Sequence, residues 1–446
     1  MAATPQPRDW HRTIWRWHFY AGVIVIPFIL MLSVTGALYL FKPDWDRWEE
    51  NAFRVPAVER QVGAEAQVAA ALAASPPGTR WHSYRLPEIP GDAALVHVGR
   101  PDGTMRDIFV APNGKVVGDR DPEATIAMTL ARIHGSLLMG RAGGLIVEAA
   151  ASWAILLLLT GLYLWWPRDA KGRPEMGGLG GVLWPRRLTG RRFWRDIHAV
   201  TGFWVAGLAL VLLVSGLPWT DVWASGFRFV RAELGWVDAK PQSWKSGGDP
   251  HGGHDHAAMM ASDRLAPVPL AGLDRIVAQA KAEALPFPAL IQPPGAPAKF
   301  GPPNGPNWKA TSETQNRPLG RTILYDAATG RLVSVSRFAD KHVIDRVIGT
   351  GIAWHEGQLL GRFNQAVGVL TALALILMAV SGTILWWRRR PEGRWFAPPA
   401  AAPARLPRGW IAILVVAGLL LPMLGVSLIV LLLVDTALRR LERFSI

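Results

Sequence analysis

The sequence contains no cysteine in 446 residues. Its absence excludes structural disulfides, iron–sulfur clusters, thiolate-ligated zinc and the C-x-x-C-H attachment of c-type haem, so any haem must be held non-covalently, by side chains such as His. Charge is scarce too: Asp, Glu, Lys and Arg make up 18% of the chain against 50% hydrophobic residues. Acids are the scarcer sign, 34 against 48 basic residues. A nucleotide-binding signature is also missing. The run Gly177-Gly178-Leu179-Gly180-Gly181 sits in a short basic loop with no strand before it, which fails the context of a dinucleotide fingerprint.

Long apolar runs are plentiful. Those at 19–41, 145–166, 200–219, 366–387 and 411–434 are each long enough to cross a ~30 Å hydrocarbon core as a helix. The first follows Arg8, Arg12 and Arg16 as a signal sequence does, yet it is longer than a signal core and has no small-residue cleavage site, so it reads as an uncleaved anchor. The basic residues cluster between the runs. The segment before Phe19, the loop from 167 to 197 and the loop from 388 to 410 carry 3, 8 and 6 Lys/Arg against 1, 3 and 1 acids, which accounts for twelve of the formal +14 charges. The positive-inside rule makes these three segments cytoplasmic and the two long loops external. The high pI therefore reports membrane topology and contact with lipid; nucleic-acid binding is not implied.

The runs are duplicated. An offset of 221 superposes His134 on His355, Gly140-Arg141 on Gly361-Arg362, Gly161 on Gly382 and Trp165-Trp166 on Trp386-Trp387 without a gap. An offset of 180 superposes His18 and Gly22 on His198 and Gly202, and Thr35-Gly36 on Ser215-Gly216. Two span types therefore alternate, with a longer loop in the second copy. Within the first loop, 64–74 reads as helix and 93–98, 105–111 and 115–117 as strands around the turn Pro112-Asn113-Gly114. In the second, 273–284 reads as helix and 320–325 and 331–336 as strands, while the Pro- and Gly-rich stretch 285–318 reads as an irregular insertion.

The segments RDIFVAPNGKVVGD and RTILYDAATGRLVS resemble PepSY domains. The motifs Trp17-His18-x3-Gly22, Ile133-His134-Gly135-x4-Gly140-Arg141, His198-x3-Gly202-Phe203-Trp204 and Trp354-His355-Glu356-Gly357-x3-Gly361-Arg362-x-Asn364-Gln365, with the Gly-x3-Trp-Trp endings, resemble PepSY-associated transmembrane proteins over the chain up to about Arg394. The resemblance implies an inner-membrane protein linked to iron uptake, of the ferric-siderophore reductase kind, with b-type haem between its spans. The fold expected is a membrane all-α helical bundle, four duplicated spans plus a C-terminal fifth, with two extracytoplasmic α+β PepSY-like domains. The boundaries read as an anchor and first span at 1–42, external domains at 43–133 and 220–354, the second to fourth spans at 134–168, 198–219 and 355–390, cytoplasmic segments at 169–197 and 391–409, and a fifth span and tail at 410–446. That fifth span reads as a single crossing; a hairpin broken at Pro422 has arms too short to span.

Depth pairs the span histidines. His18 and His198 begin outward-running helices and lie at the cytoplasmic side, whereas His134 and His355 precede inward-running helices and lie at the external side. Each pair suits one haem held by two imidazoles, a six-coordinate arrangement for electron transfer. His11, two turns before His18 on the same face, is a rival for the inner site. Arg141 and Arg362 stand two turns beyond the outer histidines, placed either to pair with haem propionates or to snorkel to the interface. Glu148, whose counterpart is Val369, is an intramembrane carboxylate suited to a proton relay or a quinol contact, or is simply interfacial. The tract HGGHDHAAMM offers His251, His254, His256, Met259 and Met260 to a transition metal, or is a loosely metal-binding linker. Electrons then come from a quinol or a separate protein, and the substrate is a ferric siderophore or another external iron compound. A haem-free PepSY protein that binds peptides or regulates a protease is the alternative, as is a siderophore or metal permease accessory.

Overall fold

The computed structural model describes residues 10–55, 60–167, 182–186, 189–236, 269–297, 304–388 and 408–444. His251, His254, His256, Met259 and Met260 lie outside them. Among the described residues four helices are long and apolar enough to cross a membrane. They are α1 (Trp10–Tyr39), α5 (Gly140–Trp165), α6 (Gly190–Gly216) and α10 (Arg362–Trp387). At 1.5 Å per residue each extends roughly 39–45 Å. The chain is a multi-pass membrane protein. Its contacts divide it into two compact units, residues 1–37, 134–229 and 366–446 in one, residues 38–133 and 230–365 in the other.

In the first unit, the spans pack through aromatic and small side chains. Trp165 of α5 stacks flat on Phe203 of α6, the rings 4.1 Å apart. Trp153 Nε1 donates to Ser427 Oγ at 2.9 Å. The expected fifth span departs from the sequence reading, being two helices, α11 (Arg408–Leu420) and α12 (Pro422–Phe444). Pro422 lacks the N–H that would continue α11 and is well suited to start a new helix. The backbones of Gly418 and Gly425 close on each other at the break, so that a Cβ on Gly425 would lie 2.9 Å from the Gly418 carbonyl oxygen. At about 20 Å, α11 is shorter than the hydrocarbon core.

The outer histidines also depart from expectation. His134 sits on a separate helix, α4 (Ile126–Ser136), and His355 ends another, α9 (Val343–His355). Left-handed residues then reverse the chain before each span, Leu137, Leu138 and Gly140 in the first case, Gly357 and Gly361 in the second. The arginines Arg141 and Arg362 therefore do not share a helix with the histidines they follow.

The second unit is built on one eight-stranded antiparallel sheet. The strands are β1 (Arg80–Arg85), β2 (Ala94–Gly99), β3 (Met105–Val110), β4 (Val116–Arg120), β5 (Ala289–Gln292), β6 (Trp308–Ser312), β7 (Arg321–Tyr325) and β8 (Leu332–Arg337), in the order β4-β3-β2-β1-β5-β6-β7-β8. Each loop forms a four-stranded meander. Their first strands, β1 and β5, join with Tyr84 opposite Ile291. The two separate domains expected from the sequence are thus one sheet, because pairing β1 with β5 removes an open edge from each half. The stretch read as an irregular insertion supplies β5 and β6. Strands from both loops share this sheet, so both loops lie on one side of the membrane and α5 and α6 cross as an opposed pair.

Helices α3 (Ala64–Ala73) and α8 (Leu273–Ala282) cover one face, burying Val68, Trp81, Val96, Ile276, Ile291 and Trp308 between them and the strands. Their N-termini cap each other. The Glu65 carboxylate accepts from Gly272 N–H at 2.8 Å, and the Asp274 carboxylate accepts from Glu65 N–H at 3.0 Å. Gly63 is required there, since a Cβ would lie 2.2 Å from Asp274 Oδ2. Losing a helix N-cap costs about 1 kcal/mol, so Glu65→Ala and Asp274→Ala should each lower the melting midpoint by about 2–4 °C. The double variant should deviate from the sum, because both carboxylates occupy one junction. Strict additivity in a fluorescence-monitored melt would show two independent caps instead.

Candidate functional site

The imidazole of His18 on α1 meets α5. His18 Nδ1 lies 2.9 Å from Thr160 Oγ1. The Thr160 hydroxyl gives its one hydrogen to the Leu156 carbonyl at 2.8 Å, bending back one turn along its own helix. Its oxygen must then accept from His18, which puts the imidazole proton on Nδ1 and the lone pair on Nε2. This tautomer follows from the hydrogen-bond network. Beside Thr160, Gly161 lets the ring approach: a Cβ there would be 3.3 Å from His18 Cε1.

The same device recurs at two other histidines. His134 Nδ1 lies 3.0 Å from Thr35 Oγ1 of α1, whose hydroxyl hydrogen goes to the Met31 carbonyl at 2.8 Å. A Cβ on Gly36 would stand 3.0 Å from His134 Cε1. His198 Nδ1 faces Ser381 Oγ at 3.0 Å and the Met378 carbonyl at 3.1 Å on α10, and a carbonyl can only accept. Gly382 completes that seat, with a Cβ position 3.4 Å from His198 Cε1. Three imidazoles thus dock on a hydroxyl-glycine dipeptide of another helix, and all three carry the proton on Nδ1.

The sequence repeats these glycines at matching positions of the spans without showing which histidine each one serves. In the structure Gly36 serves His134. The roles of Thr160, Thr35 and Ser381 were missed, although a signal was present: all four spans carry the dipeptide, as Thr35-Gly36, Thr160-Gly161, Ser215-Gly216 and Ser381-Gly382.

His18 and His198 come within electrostatic reach of one another. The rival His11 is exposed, and among the described residues no hydrogen bond holds it. His355 lies in the second unit, half-buried at the end of α9. Next to it, Glu356 is buried and faces Arg317 at 3.6 Å. Burial pushes the Glu356 carboxyl up, against the pull of the Arg317 charge. The guanidinium of Arg362 forks onto Asp44, at 2.8 and 2.6 Å, and this hydrogen bonding holds the Asp44 carboxyl below its ordinary range. Arg141 is exposed.

Glu148 has a structural partner that the sequence did not reveal. Its carboxylate, 1% exposed, accepts from the N–H groups of Val222 at 3.0 Å and Trp223 at 2.9 Å. These are the first residues of α7 (Val222–Glu233), so the charge sits at the positive end of a helix and satisfies its first donors. The cap belongs to one copy only, in keeping with Val369 at the equivalent position.

Among the described residues no group of three or more His, Asp or Glu side chains is arranged to hold a metal ion. Two imidazoles alone suffice when a macrocycle fills the other positions on iron. A ligating histidine is neutral, presents one ring nitrogen and gives its other N–H to a fixed acceptor; His18, His134 and His198 meet the tautomer and acceptor conditions. The glycine seats keep bulk away from those rings. These residues fit a haem.

The family model of the PepSY-associated TM region matches residues 15–389. A search of curated proteins found no match.

The cap by Glu148 is testable on its own. Glu148→Ala leaves two helix N–H groups unpaired in a buried site and should cost about 1–3 kcal/mol, seen as a lower melting midpoint. Glu148→Gln, whose amide oxygen still accepts, should fall between that variant and the parent. Equal midpoints for all three proteins would show that the cap contributes nothing.

Proposed function

The chain belongs to the family of the PepSY-associated TM region, and we propose that it is a bacterial inner-membrane di-haem b protein that carries electrons outward and reduces ferric iron, in siderophore-bound form, on the external side. The observation that carries this reading is the shared fixing of three imidazoles, two on spans and His134 on α4, through Nδ1 by a hydroxyl beside a glycine on a span. An ordinary interfacial histidine needs no such seat. Held by these imidazoles, haem would supply reversible one-electron transfer.

His18 and His198 form the inner pair. His134 and His355, set by the sequence at the opposite end of the spans, form the outer pair. Thr160, Ser381 and Thr35 hold the Nδ1 protons and thereby turn Nε2 into the ligating atom. Gly161, Gly382 and Gly36 keep the seats shallow. Arg141 is available to a propionate; Arg362 reaches one only by releasing Asp44. Electrons enter from a quinol or a separate donor protein. Reduction weakens the grip of hard oxygen ligands on iron, which gives the external side its task.

The test is spectroscopic. Purified protein reduced with dithionite should show b-type absorption and two haems per chain, and His18→Ala or His198→Ala should remove one of them. Thr160→Val keeps the volume but withdraws the acceptor, so it should retain haem while raising the reduction potential of the inner site. Colourless protein with tolerated histidine substitutions would overturn the proposal and favour a haem-free interaction protein.

A further inference from the structure

Soft donor atoms also gather on the sheet, on the face turned away from α3 and α8, where the haem reading gives them no part. His82 is the extra residue of the bulge between Trp81 and Ser83 in β1. The residue is 8% exposed.

Its ring lies over Gly99 of β2. A Cβ on Gly99 would stand 2.8 Å from His82 Nε2 and 3.5 Å from Met105 Sδ, so an imidazole nitrogen and a thioether sulfur converge above one glycine. Met105 pairs across from Gly99, and His97, two residues before Gly99, shares its face. The His97 ring meets the His82 ring edge-on, their centroids 5.9 Å apart. His97 Nδ1 is held by Asp107 Oδ1 at 2.7 Å, an arrangement that presents Nε2 as a donor. We propose that His82, His97 and Met105 form a binding site for Cu(I).

Softness decides the metal. Thioether and imidazole together favour Cu(I) over hard divalent ions, which want carboxylate and water oxygens. Burial, with lesser help from His97 and Arg80, pushes the His82 imidazole down to about 3.

The experiment uses the full chain with His251, His254 and His256 changed to Ala and Met259 and Met260 to Leu, so that the external tract contributes no donors. Cu(I) is titrated against a chromophoric Cu(I) chelator. This parent should retain one Cu(I) per chain. Met105→Leu, which preserves volume, should weaken binding about tenfold or more, His82→Ala should abolish it, and Asp107→Asn should weaken it about 10- to 100-fold by loosening His97. Copper should raise the melting midpoint of the parent, raise that of Met105→Leu by less, and leave that of His82→Ala unmoved. A parent that binds no Cu(I), or a Met105→Leu protein with parental affinity, overturns the site. Haem content should be the same in all these proteins, so the outcome is independent of the haem reading.

Discussion

One hydrogen bond governs what the membrane unit can do, the donation of an imidazole N–H to a Ser or Thr oxygen on another helix. Its contribution to stability is modest, about 1 kcal/mol for a neutral pair. Its effect on chemistry is larger, because it decides which ring nitrogen keeps a lone pair. The hydroxyl can act only as acceptor, since its own hydrogen is already given to a backbone carbonyl in the turn before. Helix geometry on one span thus fixes the protonation state of a side chain on another. Glycine beside the hydroxyl is the second half of the device, bringing the ring within contact distance of the backbone.

Duplication runs through both units. In the membrane unit each seat stays within its own copy, His18 on Thr160 and His134 on Thr35 in the first, His198 on Ser381 in the second. In the sheet, each half contributes a meander and a helix, and the halves join through β1 with β5 and through the crossed caps of Glu65 and Asp274. Departures from the repeat mark single-copy tasks. Glu148 caps α7, and the bulge at His82 distorts β1 alone among the strands nearest the junction.

Much of this was legible in the sequence. Four spans, their alternation and the four histidines follow from apolar length and a gapless offset, both local properties of the chain. The joined sheet was not legible, because β1 and β5 recognise each other across the whole of α5 and α6, and no local pattern reports a partner so distant. The strands β5 and β6 were hidden by prolines that flank them without interrupting their ladders. The capping role of Glu148 was hidden because the N–H groups that donate to it sit some seventy residues ahead in the chain. Pro422 showed where the last apolar run breaks, but length alone favoured a single crossing; the glycines at 418 and 425 that let the backbones close were the missing signal.

The junction of β1 with β5 sets a schedule for biosynthesis. Tyr84 emerges early and must wait for Ile291, with two membrane helices inserted in between. Throughout that interval the first meander is a finished hairpin stack with an unmatched rim, exposed to whatever chaperones and proteases patrol the compartment. Release of the newly made chain before its second loop is in place would leave a sticky half-product, so quality control should act most strongly at that step.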